Sequence, residues 1–163
     1  MANHIEEWAI FKLAARLAQA ADDRDLPGYR ACLADRVWTG SPGEASPIAA
    51  DSYARDAMRR LAGTRWTHHK LCNPVIDIDA DGQHASASID VVVTARRVDD
   101  AGEPARSVFG GRYLLGLVRA GQGWRIERRR LAPRYSYDEI SLPAGNPAAA
   151  HFIIDQGADH AYF

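Results

Sequence analysis

Cysteine is scarce in this sequence, and no pattern of metal-binding side chains surrounds it. The chain of 163 residues has two cysteines, Cys32 and Cys72, and neither lies in a spacing typical of a zinc site. Two isolated cysteines are also a weak signal for a disulfide, so both are predicted to be buried thiols in a reducing compartment. Walker and Rossmann glycine patterns are absent as well. We therefore expect a protein without a metal or another cofactor.

Long apolar runs and an excess of charge of one sign are missing too. No stretch approaches the roughly 18 apolar residues that a membrane span requires, and the N-terminus MANHIEEWAI lacks the basic start of a signal peptide. The 20 basic and 21 acidic side chains nearly balance, so no net field favours nucleic acid or an anionic membrane. These observations predict a cytoplasmic protein with no nucleic-acid partner and no membrane partner.

What is present is an ordinary globular composition, with 47% apolar and 25% charged residues. Length and composition predict one domain over 1–163, of which 138–163 is a C-terminal tail. The tail carries the apolar segments Phe152-Ile153-Ile154 and Tyr162-Phe163, which would be costly to leave in water. We expect the tail to pack on its own domain or on a partner copy, or to close over a cavity as a lid.

The hydrophobic period changes once along the chain. Apolar residues first recur every three or four positions, which predicts helices, and later every second position, which predicts strands separated by short hairpin turns. The predicted helices are 5–21, 26–33 and 51–63, and the predicted strands are 66–78, 84–97, 107–119 and 124–134. Helices followed by consecutive hairpin strands predict an α+β fold in which a curved antiparallel sheet wraps the N-terminal helices.

Two stretches of sequence then resemble a known family. They are RWTHHKLCNPVIDIDADG, with Thr67, His68, His69 and Asn73, and FGGRYLLGLVRAGQGWRIERRRL, which ends in the Gly-Trp-Arg-Ile-x-Arg-Arg-Arg strand. Together with the order of elements they resemble the SnoaL-like branch of the nuclear transport factor 2-like superfamily. The resemblance implies a cystatin-like α+β cone with an apolar cavity, and a homodimer or homotrimer. It does not choose among the dehydratases, isomerases, accessory subunits and binding proteins of that superfamily.

Alternation along the first long strand decides which histidine can face a cavity. Thr67, His69, Leu71 and Asn73 share one face, whereas His68 and its alternate neighbours share the other. By resemblance the catalytic histidine of the dehydratase-like members falls on His69, a residue type that exchanges protons near neutral pH. The alternative is a strand histidine bonded to a neighbour without a catalytic role.

The resemblance also implies an aspartate on the first helix, and the alignment places Arg16 there. A cavity-facing Arg16 would act as an electrophile that binds a carboxylate or stabilises an enolate; the alternative is an ion pair with Asp90 or Glu127, or a tip in solvent. Asp90 itself is expected on the wet side of the sheet, with replacement of the missing carboxylate as the less favoured interpretation.

Further candidates lie on the later strands and helices. Strict alternation after Trp124 points Arg128 toward the deep end of the cavity, although such arginine runs are more often solvated. Tyr113 can donate a phenolic hydrogen bond inside an apolar site, or pack in the core. The candidate substrate contacts are Asn73, Tyr53, Leu13 and Leu71, of which Tyr53 is also a good candidate for packing alone.

Three functions remain open from the sequence. The first is a cofactor-independent lyase or isomerase that moves a proton on a small hydrophobic aromatic or polycyclic molecule, with His69, Tyr113, Arg16 and Arg128 as catalytic residues. The second is a noncatalytic ligand-binding module, which the lack of a carboxylate at position 16 favours. The third is an accessory subunit resembling the small subunit of ring-hydroxylating dioxygenases.

Overall fold

The computed structural model describes residues 2–40, 46–98, 104–140 and 152–154. Three helices lie on one side of a single sheet: α1 Ala2–Asp22, α2 Leu26–Ala31 and α3 Ala50–Leu61. The inner face of α1 is apolar at three- and four-residue spacing, and this face is buried. Asp25 caps α2 by accepting a hydrogen bond from the Gly28 backbone at 3.0 Å.

Seven strands make up the sheet in the described part of the chain. They are β1 Leu33–Trp38, β2 Ile48–Ala49, β3 Trp66–Ile78, β4 His84–Val98, β5 Pro104–Ala120, β6 Gly123–Ile140 and β7 Phe152–Ile154. Their order is β2-β1-β6-β5-β4-β3, with β7 also paired to β6. The four long strands form the predicted antiparallel meander, which curves around the helices. The predicted α+β fold is confirmed.

The sheet differs from the prediction at its other edge. Residue 33, predicted to end the second helix, begins β1, and β1 pairs with β6 in parallel. The sheet is therefore mixed rather than purely antiparallel. A six-residue strand that pairs with a segment some 90 residues later leaves little local signal, because its stability comes from the distant partner.

The C-terminal boundary also differs from the prediction. β6 continues to Ile140, so the predicted start of the tail at 138 lies inside a strand, and β7 pairs with Tyr137–Glu139. The expected lid or docking role of the tail concerns 141–151 and 155–163, which lie outside the described residues, as does the predicted turn at 99–102.

The core fills the space between the helices and the inner face of the sheet. Its fully buried side chains are Ile10, Leu33, Ile89, Leu117 and Ile126, together with Val37 and Val91. Cys32 is buried as predicted, whereas Cys72 is exposed, because its side chain lies on the outer face of β3. No helix in the described ranges is both long enough and apolar enough to cross a membrane.

Candidate active site

An apolar cavity lies between α1, α3 and the inner face of the sheet. Its volume is about 60 Å³, enough for a few water molecules, since one water needs roughly 10–15 Å³ on the same measure. The apolar walls are Ala14, Leu17, Ala18, Ala21, Ala57, Leu61, Val93, Phe109, Leu115 and Leu131, and the polar lining residues are Tyr29, Arg60, His69, Tyr113 and Arg129. A few polar groups in an apolar hollow are typical of a small-molecule site.

The imidazole in the cavity wall is hydrogen-bonded to a carboxylate. His69 on β3 lines the cavity, and its Nδ1 lies 2.6 Å from Oδ1 of Asp22, the last residue of α1. The other carboxylate oxygen accepts a hydrogen bond from the His69 backbone N–H at 2.9 Å. Both side chains are largely shielded, with 9% of His69 and 17% of Asp22 exposed. Asp22 therefore fixes both the ring and the strand that carries it.

Asp22 is held in its ionised form. Burial alone would disfavour the charge, but hydrogen bonds from the His69 ring, the His69 backbone and the Thr67 hydroxyl outweigh it, so the pKa of Asp22 lies below its usual value. An ionised carboxylate only accepts hydrogen bonds, so the Nδ1 that faces it carries a proton. Nε2 is then the free basic nitrogen of His69.

The carboxylate partner of the histidine is thus Asp22 and not the residue at position 16. Arg16 is exposed and lines a separate groove between α1, α2 and β6, together with Leu13 and Cys32. Six residues separate it from Asp22, which is about 240° around a helix, so the two side chains lie on different faces. The prediction that Arg16 faces the cavity is wrong.

The sequence contained a signal for Asp22 that the alignment overlooked. Ala14 and Ala18 both line the cavity, and Asp22 continues their four-residue spacing along the same face of α1. An acidic residue at the end of an alanine-rich helix face is a candidate for a buried carboxylate.

A partly buried arginine with a buried Nε also lines the cavity, in addition to the exposed Arg60. Arg129 on β6 donates a hydrogen bond through Nη1 to the Tyr53 hydroxyl at 3.0 Å, and its guanidinium lies 4.3 Å from the centre of the Tyr113 ring. Its buried Nε has no hydrogen-bond partner among the described residues. Burial raises the pKa of both Tyr29 and Tyr113, so these phenols remain neutral.

A β-bulge explains why Arg129, and not Arg128, faces inward. Ile126 pairs with Leu117 and Arg128 with Gly116, so Glu127 is an extra residue on β6. One inserted residue exchanges the two faces of a strand beyond it. Arg128 instead donates a weak hydrogen bond of 3.4 Å to the Gly40 carbonyl and lies over Trp38. The prediction from strict alternation is wrong by one residue.

Of the other predicted site residues, two tyrosines lie at the cavity and two leucines do not. Tyr113 lines the cavity, and Tyr53 contacts it through Arg129. Neither Leu71 nor Leu13 lines the cavity: Leu71 is partly buried against the core, and Leu13 borders the groove that Arg16 lines.

Asn73 lies at a second bulge, on β3, and does not reach the cavity. It has a φ of 50°, is exposed, and donates a hydrogen bond to Asp90 at 3.1 Å. Asp90 also accepts a hydrogen bond from Arg112, which lowers the pKa of Asp90 to about 2. Asp90 therefore belongs to the outer, wet face of the sheet, as expected.

Within the described part of the chain, one group of three metal-type side chains comes together, Asp79, Asp81 and His84. All three are exposed at the turn between β3 and β4, and none lines the cavity. The described cavity lining includes one imidazole, that of His69, and no carboxylate; Asp22 is hydrogen-bonded to that imidazole from behind.

Comparison with known proteins agrees with this architecture. The chain is similar in structure to the Kfla4162 protein of Kribbella flavida, with a TM-score of 0.70, 22% identity and coverage of 82% of this chain and 94% of that one. It is also similar to a protein of Novosphingobium aromaticivorans provisionally named a scytalone dehydratase, with a TM-score of 0.69, 19% identity and coverage of 90% of this chain and 95% of that one. A third similar structure is hexachlorocyclohexane dehydrochlorinase LinA-type3 of Novosphingobium barchaimii, with a TM-score of 0.71, 13% identity and coverage of 89% of this chain and 97% of that one. At these identities the likeness establishes the fold alone.

Sequence comparison supplies the family. No curated protein matches the chain, but the family model described as a SnoaL-like domain matches residues 5–130. That match spans both helical and sheet layers and includes Asp22, His69 and Arg129. The chain therefore belongs to the SnoaL-like family.

Proposed function

We propose that this protein is a cofactor-independent lyase or isomerase that abstracts a proton from carbon in a small apolar molecule. The observation that carries the proposal is the presence, in one apolar cavity, of an imidazole oriented by a carboxylate and an arginine whose buried Nε–H is unpaired among the described residues. These are the two groups that proton abstraction beside a carbonyl needs, a base and a stabiliser of the resulting oxyanion.

His69 is the base. Asp22 holds the proton on Nδ1 and stabilises the imidazolium that forms when Nε2 takes a second proton. The imidazole ring lines the cavity, and its Nδ1 is hydrogen-bonded to Asp22. Nε2 is therefore the ring nitrogen that is available to a molecule in the cavity.

Arg129 is the electrophile. Its Nε–H can donate to a substrate carbonyl without breaking an existing hydrogen bond, since that donor is unpaired in the described structure. The Tyr53 hydroxyl and the Tyr113 ring hold the guanidinium in place, so little reorganisation accompanies the development of negative charge. This arginine takes the role that the sequence suggested for Arg16 or Arg128.

The proposed step balances without an external reactant. Nε2 of His69 takes the proton from the carbon beside the carbonyl, and the C–H electron pair forms an enolate held by Arg129. In elimination, the enolate expels a leaving group from the β carbon and the imidazolium returns its proton to solvent or to a departing hydroxide. In isomerisation, the imidazolium returns the proton to a different carbon.

The size of the cavity limits the size of the substrate that we propose. A volume of about 60 Å³ argues against the polycyclic substrates that the sequence left open, and we propose a substrate no larger than a single ring. Two of the similar structures are named for eliminations, a scytalone dehydratase and a dehydrochlorinase, which supports loss of water or of a halide. The case for a noncatalytic module depended on a missing carboxylate, and Asp22 supplies that carboxylate.

The proposal is tested with 3-hydroxycyclohexanone and 3-chlorocyclohexanone, whose elimination yields the same conjugated enone. We expect the protein to accelerate formation of cyclohexenone, followed by its ultraviolet absorbance, above the rate in buffer. The Asp22→Asn variant is expected to lose this acceleration because the amide no longer holds the proton on Nδ1. The Asp23→Asn variant is the matched control, since Asp23 is exposed next to Asp22. Equal rates for the two variants would contradict the proposed role of Asp22.

A further inference from the structure

Arg24 lies two residues after Asp22, which forms a hydrogen-bonded dyad with His69. Arg24 has an unusual backbone conformation and several side-chain hydrogen bonds. Arg24 has a φ of 60°, in the left-handed region that non-glycine residues other than asparagine and aspartate seldom adopt. Its Nη1 donates to the Ala21 carbonyl at 2.7 Å and to the Thr67 hydroxyl at 2.9 Å, and its Nη2 donates to the Thr64 hydroxyl at 2.7 Å. One guanidinium thus joins the end of α1 to the loop before β3 and to β3 itself.

The hydrogen bonds of Thr67 have only one possible direction. An arginine donates and never accepts, so the Thr67 oxygen must accept from Arg24. The single hydroxyl hydrogen of Thr67 is then directed to Asp22 Oδ1, 2.8 Å away. Asp22 Oδ1 receives this hydrogen together with the one on His69 Nδ1. The order is Arg24 to Thr67 to Asp22, with His69 donating from the other side.

We propose that Arg24 is a positioning residue that acts through the Thr67 hydroxyl to hold the Asp22 carboxylate against His69 Nδ1. Arg24 does not line the cavity, so it acts on the base and not on the substrate. The inference rests on the proposed function only in that the dyad is the base; the arrangement of hydrogen bonds can be tested without any turnover.

The test is the tautomer of the His69 ring, read from the nitrogen-15 chemical shifts of the imidazole at a pH where the ring is neutral. A His69→Ala spectrum assigns the signal among the histidines of the chain. We expect the proton on Nδ1 in the unaltered protein and a mixture of tautomers in the Arg24→Asn variant. Asparagine tolerates the left-handed backbone, so this variant removes the guanidinium and keeps the local chain direction. Arg24→Lys, which retains a charge and fewer directed donors, is expected to give an intermediate mixture.

A second variant makes the test independent of Arg24 itself. Thr67→Val removes the hydroxyl with little change of volume and is expected to give the same mixture as Arg24→Asn. Both changes break the same chain of hydrogen bonds from Arg24 through Thr67 to Asp22. The double variant is therefore expected to show the same mixture of His69 tautomers as Thr67→Val alone. Arg55→Asn is the control, because Arg55 is exposed on α3 and contacts only Ser52 in the described hydrogen bonds; its His69 signal is expected to match the unaltered protein.

Turnover gives the corresponding kinetic result. With either 3-substituted cyclohexanone as substrate, Arg24→Asn is expected to lower kcat about tenfold and to leave KM within about twofold, because an interaction made through the base is lost while the cavity wall is unchanged. An Nδ1–H tautomer that persists in both Arg24→Asn and Thr67→Val would overturn the inference. The proposed function fails on a different result, namely turnover that does not depend on His69, whatever its tautomer.

Discussion

Replacing His69 by alanine is expected to lower kcat for elimination by about a hundredfold to ten-thousandfold, the range over which a general base contributes. The ring is the single imidazole in the described cavity wall, so no neighbour can take over its role. We expect the substitution to leave the fold intact, because His69 lies at the edge of the core and the backbone N–H that binds Asp22 remains. The measurement is kcat and KM for cyclohexenone formation together with thermal unfolding.

The adjacent histidine provides the matched control. His68 is exposed on the opposite face of β3, so His68→Ala is expected to keep kcat within about twofold of the unaltered protein. The pair separates a catalytic role from a general effect of shortening a strand side chain. Equal losses in the two variants, or no loss in either, would contradict the assignment of His69 as the base.

Replacing Arg129 by methionine is expected to lower kcat by about a hundredfold to a thousandfold, the usual effect of losing an oxyanion donor. The free energy of unfolding is expected to rise or to stay unchanged. A buried charge with an unpaired N–H is costly, and a hydrophobic side chain of similar length often replaces one without loss of stability. Kinetics and chemical denaturation of the same sample measure both effects.

Arg128→Met is the control for this prediction. Arg128 neighbours Arg129 in sequence but lies over Trp38 on the other face of the strand. We expect it to retain activity. If Arg129→Met were instead strongly destabilised and Arg128→Met equally inactive, the arginine would be a structural residue of β6 and not an electrophile.

Much of the fold was predictable because its signals are local. The four long strands have clear alternation, and short turns join β3 to β4 and β5 to β6, where Gly82 and Gly121 adopt the positive φ that such turns require. The three- and four-residue spacing of apolar residues likewise predicted α1. By contrast, β1 depends on a distant parallel partner, and a window of six residues contains little of that information.

The site was harder to predict because single-residue shifts decide it. Alternation placed His69 correctly, since no bulge intervenes between Trp66 and His69. The same rule failed for Arg128, because the extra residue at Glu127 exchanges the faces of β6 and no sequence signal marks it. Asp22 was missed for a different reason: the family resemblance placed the helix carboxylate at residue 16, about 1.7 helical turns too early. Alanines at 14 and 18 were the better guide to the cavity face.

Hydrogen exchange at carbon is the most direct measurement of proton abstraction by His69, because it separates that step from departure of a leaving group. Cyclohexanone has protons beside its carbonyl and no leaving group, and their replacement by deuterium in heavy water is followed by proton NMR. We expect the protein to accelerate this exchange above the rate in buffer, and we expect His69→Ala and Asp22→Asn to reduce it to the buffer rate while His68→Ala does not. Exchange that is equally fast in the unaltered protein and in His69→Ala would show that His69 is not the base.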